Sequence, residues 1–254
     1  MPPQFPQEIF DYIIDYSASD FRTLRKYSTV CKSWSVRSRS HLLDCLRLYS
    51  AEELDLWCKN IPPTTDGPSR FVNYLYMLSG VIPLVFEPQS LDPYLAHFSA
   101  LTRVDVLELV DHRGTIPLDM FFQCFSVLRH TLKTLKVACS SLAFDDISRM
   151  VEYFPNLTKV EVWGPTLNFS KETGPFPPPR QTSFPRLKTL FFRVLGSKPE
   201  LGNNILSGFA KASKSPEVLS LVGEADVPIA QELLDSSAHS LLALRMSPLG
   251  RSCS

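Results

Sequence analysis

Pro6-Gln7-Glu8-Ile9-Phe10-Asp11-Tyr12-Ile13-Ile14-Asp15 is the stretch from which the chain is best read. Pro6 suits the first turn of a helix, where its missing N–H costs nothing. Glu8 falls where the helix dipole favours an acid. Ile9, Ile13 and Tyr16, spaced by four and three, form one apolar stripe, and Phe10 and Ile14 form a second beside it. A helix striped in this way meets apolar surface on two sides. Ser17-Ala18-Ser19-Asp20 ends it, and Ser17 with Asp20 reads as a capping box for the next helix. There Leu24, Tyr27, Val30, Cys31 and Trp34 are expected on one face, with Arg22, Arg25, Lys26 and Lys32 on the other. The result is a compact head of short helices with more apolar surface than so small a unit buries alone.

Phe5-Pro6-Gln7-Glu8-Ile9, then Ile13-Ile14, Asp20 and Val30-Cys31-Lys32-Ser33-Trp34, follow one another in an order that resembles the F-box. That family opens on Leu-Pro-x-Glu-Ile, continues through an apolar helix and an acidic turn, and reaches a Val-Cys-[Arg/Lys]-x-Trp element. The match covers roughly residues 3–48. Phe5 and Tyr16 replace leucines and keep apolar bulk. The resemblance implies docking on the Skp-type adaptor of an SCF-type ubiquitin ligase and, through it, on a cullin scaffold. It implies that Pro6, Ile9, Ile13, Leu24, Val30 and Trp34 bind the adaptor or form the small core behind that surface. For Leu24 and Trp34 both roles stay open.

Beyond the head, the pattern apolar-x-x-apolar-x-apolar returns eight times. The copies start at Leu43, Val72, Leu101, Leu132, Leu157, Leu187, Pro216 and Leu241. The intervals are 29, 29, 31, 25, 30, 29 and 25 residues. The last two apolar positions of each copy lie two apart and so share one side of a short strand. Helices to return the chain are expected at Met120–Leu128, Asp145–Val151, Asn203–Phe209 and Ile229–Leu234, with Asp145 as a cap. The pattern resembles an irregular leucine-rich repeat. This implies an α/β chain in which the N-terminal three-helix F-box, residues 1–48, precedes a solenoid of short parallel strands and convex-side helices, residues 49–254. Strand–helix alternation alone fits a doubly wound sheet as well. Gly174-Pro175-Phe176-Pro177-Pro178-Pro179-Arg180 reads as an insertion loop, and no polar cap follows Ser247, so the array is either minimally capped or longer than this chain.

Bulk composition narrows the function. Of 254 residues, 44% are hydrophobic, enough for a sizeable core. Lys+Arg and Asp+Glu both number 26, which argues against nucleic acid as a general partner. No apolar run approaches the ~20 residues that cross a bilayer, and no secretory leader is read at the N-terminus. The six cysteines are scattered without a CxxC pair, as expected of reduced thiols in the cytoplasm or nucleus. Neither a GxSxG, an HExxH nor a glycine-rich phosphate loop occurs. No catalytic residue, cofactor or metal is therefore assigned.

The expectation is a substrate-recognition adaptor that binds an unidentified target protein and performs no chemistry itself. Asp111, Trp163 and Arg193, on or beside strands, are candidate target contacts, with Trp163 expected to point away from the inward Val162. A binding scaffold that docks the adaptor without ubiquitin transfer shares every one of these features. An α/β enzyme with a helical cap is the other alternative.

Overall fold

Three short helices precede eight parallel strands that hydrogen-bond in chain order. In this computed structural model the described residues are 5–64, 66–79, 81–82, 92–111, 116–139, 144–164, 186–194, 218–222, 235 and 243–247. The Pro-rich stretch 174–180, the helices expected at 203–209 and 229–234 and the chain after Ser247 lie outside them, whereas Asp145, expected as a cap, is the second residue of the helix Phe144–Tyr153, its side chain outside the described set.

Helix α1 spans Gln7–Tyr16, α2 Phe21–Tyr27 and α3 Lys32–Leu42. Pro6 stands just before α1, and its carbonyl accepts the Ile9 N–H at 3.1 Å. The two stripes of α1 separate as read: Phe10 and Ile14 turn inward, while Ile9, Ile13 and Tyr16 are exposed. The continuous second helix is corrected. The helical period from Leu24 to Trp34 is interrupted at Ser28–Val30, and Cys31 becomes the residue that opens α3. Leu24 is therefore sealed at 0% exposure while Val30 stands out at 60%. The capping box is corrected too. Asp20 caps α2 itself, accepting from the Arg22 and Thr23 N–H groups at 3.0 and 3.2 Å, and the Ser17 hydroxyl donates backward to Ile13 O.

The strands are β1 Cys45–Leu48, β2 Tyr74–Leu78, β3 Val106–Asp111, β4 Thr134–Cys139, β5 Lys159–Gly164, β6 Thr189–Val194, β7 Val218–Val222 and β8 Ala243–Ser247. Each pairs in parallel with its sequence neighbour, and the sheet runs β1 to β8 without closing on itself. Since β1 belongs to this sheet, the helical head ends at Leu42, before the boundary drawn at residue 48. Between strands lie helices α4 Ala51–Asn60, α5 Asp92–Ser99, α6 Leu118–Cys124 and α7 Phe144–Tyr153. The single helix expected over Met120–Leu128 is two pieces, because α6 stops at Phe125 and a tighter turn, Ser126–His130, follows.

Register fixes the inward positions. Leu46, Leu75, Leu107, Leu135, Val160, Leu190, Leu219 and Leu244 lie side by side across the eight strands. Seven of these are the second position of the repeated pattern. The third copy is corrected: it is Val104-x-x-Leu107-x-Leu109 rather than the copy begun at Leu101. Val104, Leu107 and Leu109 are fully buried. Val106, two residues after Val104, falls on the opposite side of the strand.

One apolar cluster joins the inward strand positions to the helices. Leu54 of α4, Phe98 of α5, Phe121 of α6 and Met150 of α7 all belong to it. The helices therefore cover one side of the sheet, as sequential strand order with right-handed crossovers requires. Phenylalanines fill the gap between helices: Phe121 meets Phe125 edge-on at 5.2 Å and Phe154 at 5.9 Å between centroids. At the turns before β1 to β5, one carbonyl accepts two N–H groups from the next turn of chain. Asp44 O takes Asn73 and Tyr74, Asp105 O takes Lys133 and Thr134, and Thr158 O takes Lys188 and Thr189, each at 2.9 or 3.0 Å. Asn73 adds a side-chain bond to Asp44 Oδ1 at 2.7 Å. These paired acceptors lock successive turns in register.

Candidate functional site: two protein-interaction surfaces

The head gathers its apolar residues into two sets. Phe10, Tyr27 and Trp34 pack together, with Trp34 5.3 Å from Phe10 and 5.1 Å from Tyr27 between ring centroids. Ile14 and Leu24 are sealed in the same head. Of the six residues singled out, Leu24 thus belongs to the interior and Trp34 is half-buried within the aromatic group. Pro6, Ile9, Ile13 and Val30 are all exposed.

Around these four lies a wider apolar surface. Tyr12 and Tyr16 continue the Ile9–Ile13 stripe along α1, and Tyr16 is 84% exposed. Phe5 and Phe21 stand exposed as well. Tyr12 and Phe21 were not singled out from sequence, although the i, i+3 spacing from Ile9 to Tyr12 carried the signal. Such a concentration of exposed apolar side chains on one small unit makes this face a candidate interaction surface.

Charge fixes the helices that display it. Asp15 on α1 accepts the Arg37 guanidinium on both oxygens, Nε lying 2.7 Å from Oδ1, and His41 Nε2 meets the same Oδ1 at 2.7 Å. The Arg37 hydrogen bond, reinforced by His41 and opposed by partial burial, holds the Asp15 carboxyl down at about 2. On α3, Arg37 and His41 stand one turn apart and clamp α1 at its last turn. Cys31 opens α3 exposed, its sulfur 3.3 Å from Ser33 Oγ, and that hydroxyl with the Trp34 N–H lowers the thiol below its ordinary value. Buried Cys124 is pushed the other way, up to about 12, by desolvation.

The second surface is the side of the sheet that carries no described helix. Its strand positions run Arg47–Tyr76–Glu108–Lys136–Glu161–Phe191–Ser220–Arg245 in register. A second row passes through Ala138, Trp163 and Arg193. Trp163 is half-buried on the side opposite Val162, as expected, with its ring 6.3 Å from Phe191. Arg193 holds the register position beside Trp163; its side chain lies outside the described residues.

Asp111 is corrected as an exposed contact. It shares its strand side with Leu107 and Leu109 and is 2% exposed, so it is turned inward. His112 and Arg113, read with it as a polar turn, lie outside the described residues.

Both carboxylates of this side are internally held. Glu108 accepts from the Tyr74 hydroxyl, and Lys136 Nζ lies 3.4 Å from Glu108 Oε2. Glu161 receives Lys159 Nζ at 2.6 Å. Burial and then the Glu108 carboxylate push the Tyr74 phenol well above its ordinary value, so it remains a donor. Tyr49 and Tyr76 stand 5.4 Å apart beside Arg47. Cys45 and Tyr49 hold the Arg47 guanidinium above its ordinary value. Arg47 and Tyr76 went unremarked in the sequence, where they are single residues set between apolar neighbours.

Among the described residues no group of three or more His, Cys, Asp or Glu is placed to hold a metal. No described helix is long and apolar enough to cross a membrane. No protein-family model, curated protein or solved structure matches the chain.

Proposed function

We propose that this chain is the substrate receptor of an SCF-type ubiquitin ligase, an F-box head followed by a leucine-rich-repeat-like solenoid. In this reading Pro6, Ile9, Ile13 and Val30, extended by Tyr12, Tyr16 and Phe21, dock on the Skp-type adaptor, and the adaptor joins the chain to a cullin scaffold. Leu24 and Trp34 act from inside, holding α2 and α3 against α1. The helix-free sheet side takes the target protein. The chain supplies no reacting group; it raises the concentration of target lysines near a charged conjugating enzyme.

The observation that carries the reading is the exposed stripe on α1, which lies beside its own packed stripe. A helix presenting anchors at i, i+3, i+4 and i+7 is the form that lays into an apolar groove of a partner. Residues 5–34, which carry the F-box resemblance, are the same residues that display this stripe. The strands in chain order, with helices on one side, suit an extended binding wall on the other.

Co-purification of the full chain with a Skp-type adaptor tests the docking. Pro6→Ala with Ile9→Ala is expected to abolish it while the circular dichroism of the chain stays unchanged. Each anchor contributes about 2 kcal/mol or more to binding when buried. Undiminished capture by the double variant refutes the docking surface. Capture that never supports cullin-dependent ubiquitin transfer favours a scaffold role instead.

A further inference from the structure

On the helix-free sheet side, the strand register places the cations Arg47, Lys136, Lys159, Arg193 and Arg245 and the carboxylates Glu108 and Glu161. Glu108 is committed to Tyr74 and Lys136, and Glu161 to Lys159. Both glutamates are only 8% exposed. Among the described residues no carboxylate forms an ion pair with Arg47, which is exposed on β1. Among the described side chains of this face, Arg47 is thus a cation that no carboxylate compensates. The flanking groups are tyrosines: Tyr76 is the register partner of Arg47, and Tyr49 follows it by two residues. Tyrosine rings provide large contact area at little entropy cost, with a hydroxyl at the rim.

We propose that this side of the sheet binds an acidic segment of a protein target, with a carboxylate seated on Arg47 beside the packed Tyr49–Tyr76 pair. The inference rests on the reading of the sheet as the target surface and names the chemistry that surface selects. A basic segment meets a guanidinium that no described carboxylate neutralises and finds the neighbouring glutamates already engaged. A neutral segment leaves the Arg47 charge without a carboxylate, its partners remaining Cys45 and Tyr49. An acidic segment compensates it and keeps both existing ion pairs intact.

The test is selection of a random peptide library on the immobilised full chain, with Arg47→Glu, Arg47→Gln and Arg47→Lys chains in parallel. The wild type is expected to enrich peptides rich in Asp and Glu, and Arg47→Lys to retain that preference. One enriched peptide, resynthesised, is expected to bind Arg47→Glu about tenfold more weakly or worse. Its binding to wild type should fall as salt is added. Enrichment without acidic bias, or equal acidic bias on the Arg47→Gln and wild-type chains, overturns the proposal. Adaptor capture is measured on the same variants. It should equal that of wild type, since Arg47 lies outside the head, so loss of acidic selection with intact capture separates this inference from the docking reading.

Discussion

Asp15 receives Arg37 through both carboxylate oxygens and thereby ties the last turn of α1 to the middle of α3. The tie sits outside the small core of Phe10, Ile14, Leu24 and Trp34, and it orients the helix that displays Ile9 and Ile13.

Acid should loosen that tie. The Asp15 pKa falls from its ordinary 3.8 to about 2 in the folded head, chiefly through the Arg37 hydrogen bond. A depressed folded value means stability fully present above about pH 4 and lost as pH falls toward 2. Hydrogen exchange of α1 amides is expected to accelerate across that window in the wild type. Asp15→Asn should show faster exchange at neutral pH and a flatter response to acid. Identical profiles for the two chains would dismiss the contribution of Asp15.

Leu24 and Val30 separate interior from surface. Leu24→Ala empties a sealed position and should cost about 2–5 kcal/mol of head stability. Val30→Ala trims an exposed side chain and should stay within about 0.5 kcal/mol, while weakening adaptor capture. Denaturant titration of both variants measures the first effect and co-purification the second. Comparable stability losses would mean that α2 and α3 are placed differently from the arrangement described.

The corrected third copy makes a similar contrast within one strand. Leu107→Ala should cost about 2–5 kcal/mol, since Leu107 is fully buried under the helices. Val106→Thr, one residue earlier and on the helix-free side, should be tolerated within about 1 kcal/mol. Thermal unfolding of the two single variants is the measurement. A severe Val106→Thr with a mild Leu107→Ala would restore the copy begun at Leu101.

Thiol chemistry should distinguish the cysteines. Cys31 is exposed with a lowered pKa, whereas desolvation raises Cys58 to about 11 and Cys124 to about 12. Brief iodoacetamide treatment near neutral pH should modify Cys31 before either of the others, as read by peptide mass spectrometry. Labelling of Cys124 at the same rate would show that the last turn of α6 is not packed into the core.

Periodicity made much of this legible. The 3.6-residue period assigned Phe10 and Ile14 to one side of α1 and Ile9, Ile13 and Tyr16 to another, and the two-residue period found the inward pair of β1, β2, β4 and β5. The same periods misled where two answers fit. Leu24, Tyr27, Cys31 and Trp34 keep helical spacing across the break at Ser28–Val30, so no apolar signal marks the turn. Leu101-x-x-Val104-x-Val106 and Val104-x-x-Leu107-x-Leu109 satisfy the same pattern, and only pairing with β2 and β4 chooses between them. The error on Asp111 follows from that choice, because the correct register gives it the side of Leu107 and Leu109. Helix α4 went unread although Ser50 and Glu53 announced it: Ser50 Oγ accepts the Glu53 N–H at 3.4 Å, and the Glu53 carboxylate takes the Tyr49 N–H at 2.6 Å.

Strands that bond only to their sequence neighbours give the molecule a mechanical character. Interstrand bonds point along the direction in which β1 through β8 are stacked. Tension applied between the two ends is therefore carried in series, from one ladder to the next. The weakest junction yields first while the others hold, and the protein lengthens in steps, as a zip opens.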